Sequence, residues 1–428
     1  MAWEQWKTAG SESKLLSAVG SVVWLGLLLA AARFLDLGEP YLPFAIAGGL
    51  VFYLRTGPKL PETVVWILCS VAFTGVVRFP HTENWIITGS SILALGGFAG
   101  FLMLGLRWIW SNSSNRRQNW AMLAPAAGMV FFVFSAQRAL SFANLLYPKT
   151  YDLYLYIVDG SLGFQPSFMA GKAMAASYLF RAACLMAYLS LPFVMALVYA
   201  LRQPKGTEQP SWDIIVLLMT AGFGGWALYN IVPATGPIYV FGSAFPFQTL
   251  PYHNLSKLFL ETIPVRPDAP RNAIPSLHVA WVVLLYWSSK GFSRSLRIFL
   301  AIYLALTVVS TLGTGEHYFV DLIAGLPFAL FVQALVSPGI KAAFSRRTIV
   351  AGSGLGLTFG WLMIVRFAPK SMLISPILPW TLVGATVATV WMLNSWYSAS
   401  SRQSDVADAT TLPNGSLQTK TMTAGARG

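Results

Sequence analysis

Apolar blocks separated by short polar stretches organise the chain from end to end. They fall near residues 15–34, 41–54, 63–79, 86–106, 120–137, 178–200, 213–233, 274–290, 297–313, 318–337, 348–366 and 375–397. Most are of the length that an α-helix needs to cross the roughly 30 Å hydrocarbon core of a bilayer. The block at 41–54 is short and is expected to be either a span or a re-entrant segment. The pattern predicts an all-α polytopic membrane protein with about twelve transmembrane helices.

Composition agrees with that class. Apolar residues make up 55% and charged residues 11%, against about 25% charged in a soluble domain. A large soluble core is therefore excluded for most of the chain. Cys69 and Cys184 both lie inside expected spans, so no disulfide framework is implied. The net charge of +13 need not mean a nucleic-acid partner, because the basic residues mark helix ends. Residues 15–32, ending at Ala30-Ala31-Ala32, have signal-peptide character, but the length of the block favours an uncleaved first helix.

Charge also orients the bundle. With the N-terminus in the cytoplasm and one crossing per span, alternate segments carry Lys7 and Lys14, Arg55 and Lys59, Arg107, Arg116 and Arg117, and so on through Arg202, Lys290, Arg294, Arg346 and Arg347. This is the positive-inside pattern. It places residues 271–278 and 315–321 on the non-cytoplasmic face.

Four regions are expected. Residues 1–145 form N-terminal transmembrane helices in which no chemistry is evident. Residues 146–340 form the core that carries the chemistry, and 341–397 two further spans. Residues 398–428, rich in Ser, Thr, Ala and Gly, are expected to be a disordered tail. Within the core, Tyr151 to Gly160 is aromatic and acidic and reads as a segment lying in the membrane interface, or as an ordinary loop. Residues 234–273 form a long outer loop with aromatics and prolines, read as a lid beside a site.

The candidate chemistry lies in two short motifs. The first is Arg271-Asn272-Ala273-Ile274-Pro275-Ser276-Leu277-His278 and the second Gly315-Glu316-His317-Tyr318-Phe319-Val320-Asp321. Thirty-nine residues of helix rise about 58 Å, two crossings of the core, so both imidazoles are expected at one membrane face. His317 and Asp321 are four apart and share a helix face. The carboxylate can accept the Nδ1 proton and leave Nε2 to attack. Pro275 suits a first helical turn, whose free N–H groups near Ser276 and Leu277 can bind an anion. His278 is the candidate acid for a leaving group, and Arg271 the candidate bidentate phosphate ligand. Taken singly, each motif is equally a wetted helix end; together, beside buried helices, they point to function. His81 and His253 lack comparable partners.

The block from Ala273 to His278, with His317-Tyr318-Phe319-Val320-Asp321-Leu322-Ile323-Ala324-Gly325, resembles the type 2 phosphatidic acid phosphatase superfamily, nearest its inositol phosphorylceramide synthase branch. The resemblance covers roughly residues 150–340. It implies a six-helix membrane core that works without a metal through a phosphohistidine, with His317 as nucleophile, Asp321 as its orienting carboxylate and His278 as acid. Three departures stand out. Leu277 replaces a glycine, Thr311 an arginine, and the family's basic first motif is only imitated by Lys257 and Arg266-Pro267.

The expectation is therefore an integral membrane phosphotransferase, or a phosphatase of the same kind, acting on a lipid phosphate ester without a cofactor. Its partners would be a membrane lipid phosphate and a polyol or lipid alcohol acceptor, with no nucleic acid. Candidate substrate-binding residues are Arg271, Ser276, Arg266 and Lys257. Two rival readings are a zinc hydrolase using His278, His317 and Asp321, and a non-catalytic lipid transporter or scaffold.

Overall fold

A computed structural model describes residues 2–80, 84–111, 113–203, 211–250, 252–336 and 344–410. It places His81 and residues 411–428 outside the described set. The chain is a helical bundle. Its first five helices are α1 (Ala2–Phe34), α2 (Leu42–Arg55), α3 (Leu60–Phe73), α4 (Trp85–Trp110) and α5 (Ser113–Leu146). After a two-residue strand β1 (Lys149–Thr150) come α6 (Asp152–Gly160), α7 (Pro166–Ala176), α8 (Tyr178–Leu189), α9 (Leu191–Arg202) and α10 (Asp213–Tyr229). The outer loop holds α11 (Pro237–Phe241), α12 (Tyr252–Leu255) and strand β2 (Ile263–Pro264). The remaining helices are α13 (Leu277–Ser288), α14 (Arg294–Gly313), α15 (Phe319–Val336), α16 (Phe344–Phe367) and α17 (Ile377–Thr410).

A helix stands in every apolar block, but not every helix is a complete span. Among the described residues seven are long and apolar enough to cross a membrane, or eight if the pair α8–α9, bent by 58°, is counted as one span. Helices α2, α3, α10 and α13 have 14, 14, 17 and 12 residues. At 1.5 Å per residue they reach about 18 to 26 Å, less than the hydrocarbon thickness. Counting apolar blocks thus overstates the number of full crossings. The last helix continues to Thr410, into the tail expected to lack structure.

The bend between α8 and α9 has a local cause. Pro192 sits in the first turn of α9 and supplies no N–H to the preceding turn. Within a bilayer the carbonyls near such a break need other donors. Tyr303 of α14 provides one, its hydroxyl donating to the Ala187 carbonyl at 2.5 Å.

Two large apolar clusters hold the bundle. One joins α2, α4 and α5 to α9, α13 and α14 through residues such as Phe52, Leu104, Tyr199 and Leu285. The other joins α6, α7 and α10 to α13, α15 and α16 through Tyr156, Phe168, Leu284 and Phe328. Thus the N-terminal helices share a core with the helices that carry the histidines. Where α2 crosses α4, backbones touch: a Cβ on Gly97 would lie 2.1 Å from the Ile46 carbonyl oxygen, and one on Gly100 2.6 Å from that of Gly49. Small residues allow this approach in lipid.

Among its described residues the expected lid carries α11, α12 and β2. It pairs with the chain ahead of α6, β1 running antiparallel to β2 with Lys149 opposite Pro264 and Thr150 opposite Ile263. The Tyr151–Gly160 segment is a largely buried helix, with Leu155, Tyr156 and Ile157 fully enclosed, and serves the site described below.

Because the α2–α4 crossing admits no side chain, Gly97→Val should destabilise the protein by about 1–3 kcal/mol or more. Gly89→Ala, on the same helix with nothing within 4 Å, should leave stability within about 0.5 kcal/mol. Thermal unfolding in detergent distinguishes the two; equal midpoints would contradict the close crossing.

Candidate active site

His317 does not lie on a helix with Asp321; it stands in the turn just before one. Helix α15 begins at Phe319, and its first N–H groups need acceptors from outside the helix. Asp321, in the first turn, reaches back to the Tyr318 N–H at 2.7 Å, one half of a capping box. Asp159 of α6 accepts the Phe319 N–H at 2.6 Å and the Val320 N–H at 2.9 Å. The buried Ser167 hydroxyl donates to the His317 carbonyl at 2.8 Å. Each such bond to a carboxylate contributes about 1.5–3 kcal/mol, so the turn holding His317 is firmly set.

The imidazole itself is oriented by a backbone oxygen. Nδ1 of His317 lies 2.8 Å from the Ala273 carbonyl and 3.4 Å from Asp321 Oδ2. A carbonyl can only accept, so Nδ1 carries the proton and Nε2 keeps its lone pair. Asp321 is therefore the second acceptor rather than the first. Burial holds the imidazole at about 4, below the ordinary histidine range, against the opposing pull of Glu316 and the Ala273 carbonyl. Above that pH the ring is neutral, the form a nucleophile requires. Burial likewise pushes the Asp159 carboxyl up to about 8, although its two N–H donors favour the charged form.

His278, in the first turn of α13, faces this ring with centroids 6.2 Å apart. It stacks on Tyr188 at 4.0 Å and 19°, and Tyr41 approaches it at 5.6 Å. Tyr188 is the penultimate residue of α8, so the proline-driven bend delivers it. Tyr41 precedes α2, and the N-terminal region therefore does reach the site. Glu316, beside the nucleophile candidate, accepts from the Tyr239 hydroxyl at 3.1 Å with each carboxylate oxygen.

The other expected site residues are placed as follows. Ser276 is the N-cap of α13; its N–H donates to the Asp321 carbonyl at 2.9 Å, so that donor is not free for an anion. Its buried Oγ has no protein partner, and neither has Asp321 Oδ1. Pro275 lies one residue before the cap rather than in the first turn. Arg271 is buried, with its guanidinium donating to the carbonyls of Tyr147, Arg266 and Ala269. The expected phosphate ligand is thus occupied in bracing the outer loop. Arg266 is exposed and paired with Asp268 at 3.1 Å, its charge reaching Tyr239. Lys257 is exposed. Thr311 is buried and donates to the Thr307 carbonyl. Leu277 packs directly over Gly225, where a Cβ would lie 2.4 Å from its Cδ2.

Asp152, Asp159, Ser167, Tyr41, Tyr188 and Tyr239 were not singled out from the sequence. Asp152 binds the far end of the site: it accepts from the Thr235 N–H and hydroxyl and from the Gly236 N–H. A signal was present, since Asp152 and Asp159 are seven apart, two helical turns, on one face. Among the described residues no group of three or more His, Cys, Asp or Glu is placed to hold a metal ion.

Residues 153–335 match the family model described as PAP2 superfamily, a span that includes His278, His317, Asp321, Asp159 and Tyr188. No curated protein and no solved structure matches the chain.

Two outcomes follow from the geometry. In a histidine-labelled sample, His317 should titrate near pH 4 and stay neutral at pH 5.5, where an ordinary histidine is mostly protonated; its signal is assigned by loss in His317→Ala. A midpoint between 6 and 7 would contradict the burial. Asp159→Ala, which strands two helix N–H groups, should cost about 1–3 kcal/mol for each and reduce turnover about ten-fold or more. Wild-type turnover in that variant would remove Asp159 from the site's support.

Proposed function

We propose that this protein is an integral membrane phosphotransferase acting on a lipid phosphate ester through a phosphohistidine at His317. One observation carries the reading: a neutral imidazole whose Nδ1 is tied to a backbone carbonyl, with a second imidazole 6.2 Å away. The PAP2 superfamily match supports a phosphatase or phosphotransferase in general terms. In the first step Nε2 of His317 attacks phosphorus, and the P–O bond to the leaving alcohol breaks. His278 donates the proton that the departing oxygen takes up. In the second step a hydroxyl attacks the phosphohistidine, the P–N bond breaks, and His278 accepts the proton. The unpartnered Ser276 Oγ can donate to a phosphoryl oxygen, and Arg266 places positive charge near the mouth.

Transfer rather than hydrolysis is favoured by the residues that replace the phosphatase pattern. Leu277 fills the space over Gly225, and Thr311, bonded to the Thr307 carbonyl, offers no cation where the phosphatase pattern has an arginine. The resemblance to the inositol phosphorylceramide synthase branch points the same way, and a site closed off from water by the outer loop would favour a bound alcohol.

The site is proposed to face the non-cytoplasmic side. Arg55 donates to the Gln203 carbonyl and Arg202 to the Ser288 carbonyl, so the basic cluster gathers at the end of α13 opposite His278. Under the positive-inside rule that end is cytoplasmic.

His317→Ala should eliminate both turnover and the acid-labile phosphoenzyme formed from a labelled lipid phosphate. Asp321→Asn should retain more activity than His317→Ala, because Ala273 still fixes the tautomer. Residual phosphoenzyme in His317→Ala would exclude the mechanism. For the orientation, single cysteines at Lys257 and Arg294 should react oppositely with an impermeant thiol reagent in intact cells; equal labelling would overturn it.

A further inference from the structure

Glu316 is the group at the site that the phosphoryl mechanism leaves unused. It stands next to the nucleophile, half-buried, and burial raises its carboxyl while His317 and Tyr239 pull it back. The ion pairs among the described residues do not include it. Its hydrogen-bond partner is the Tyr239 hydroxyl, equidistant from both oxygens at 3.1 Å. Its charge also reaches Tyr41 and Tyr188, the two rings against His278. Glu316 directly precedes His317, and the Tyr239 hydroxyl holds its carboxylate in place beside that residue.

A carboxylate in that position is a poor neighbour for a phosphate group, since like charges at short range repel. It is a good acceptor for an alcohol, and bonds from neutral donors to a charged oxygen are the stronger kind. One Tyr239 hydrogen is shared between two carboxylate oxygens, which leaves lone pairs on both. The Tyr239 oxygen, having donated, can still accept. The pair thus offers several acceptor positions and is suited to a molecule with more than one hydroxyl.

We infer that Glu316 and Tyr239 form the subsite for a polyol acceptor of the phosphoryl group, an assignment that rests on the phosphotransfer reading above. One acceptor hydroxyl is held by the Glu316–Tyr239 pair while a neighbouring one faces phosphorus. Its oxygen forms the new P–O bond, the P–N bond to Nε2 of His317 breaks, and the electron pair returns to that nitrogen. The proton released from the hydroxyl goes to His278. A water molecule bound to the pair cannot at the same time present a second oxygen to phosphorus, as the polyol does.

The test uses the full-length protein in liposomes with a labelled lipid phosphate, titrated with inositol as polyol and separately with dodecanol. The quantity read is the ratio of transferred to hydrolysed phosphate. Glu316→Gln should lower that ratio for inositol about ten-fold or more and change it less for dodecanol. Tyr239→Phe should lower it in the same direction by about three-fold, and carries the test if Glu316→Gln fails to fold. A ratio unchanged in both variants, or a proportional loss of transfer and hydrolysis, would overturn the subsite while leaving the phosphohistidine reading in place. A wild-type protein that forms no phosphoenzyme with any lipid phosphate would overturn that reading, and the subsite with it.

Discussion

The site depends on how the start of α15 is satisfied. A helix that begins inside a membrane protein has N–H groups with no water to bind, and each one left unpaired costs several kcal/mol. Here the acceptors are carboxylates from two directions. Asp321 closes the turn from within the helix, and Asp159 closes it from α6. The same pair of acids that completes the helix therefore fixes the backbone of His317, whose carbonyl Ser167 holds from a third side.

From that anchor the rest of the arrangement follows. The Ser276 N–H bonds to the Asp321 carbonyl, so the start of α13 is registered against the start of α15. The Ala273 carbonyl, just upstream, meets Nδ1 of His317. His278 then projects toward the nucleophile from a turn that has little freedom to move. The bend at Pro192 brings Tyr188 onto its face, and the α2–α4 crossing carries Tyr41 alongside. Residues from four separate parts of the chain thus converge through backbone contacts, without a metal-ligand set among the described residues.

Much of this was legible in the sequence, and the rest was hidden for physical reasons. Apolar block length reports helix formation well, because one face or all faces must be buried. It reports crossings poorly, because a 12-residue helix such as α13 has the same composition as a full span. The two histidines and Asp321 were visible because ionisable groups are rare in such a chain. Arg271 reads as a ligand because it lies beside a candidate phosphate site, but its donors meet the carbonyls of nearby Arg266 and Ala269 and of Tyr147, 124 positions away. Tyr151 to Gly160 read as an interfacial stripe because its tyrosines dominate. The informative residues were the two acids, whose partners lie 83 to 161 positions away. Tyr41 carried no local signal, since its role arises only from helix packing.

The central claim is that Ala273 holds the Nδ1 proton of His317 and leaves Nε2 to attack. Mass spectrometric and phosphorus NMR analysis of the trapped phosphoenzyme, digested under alkaline conditions, identifies both the residue and the ring nitrogen. Phosphate on Nε2 of His317 is the predicted result. Phosphate on Nδ1 of that ring, or on His278, would contradict the account.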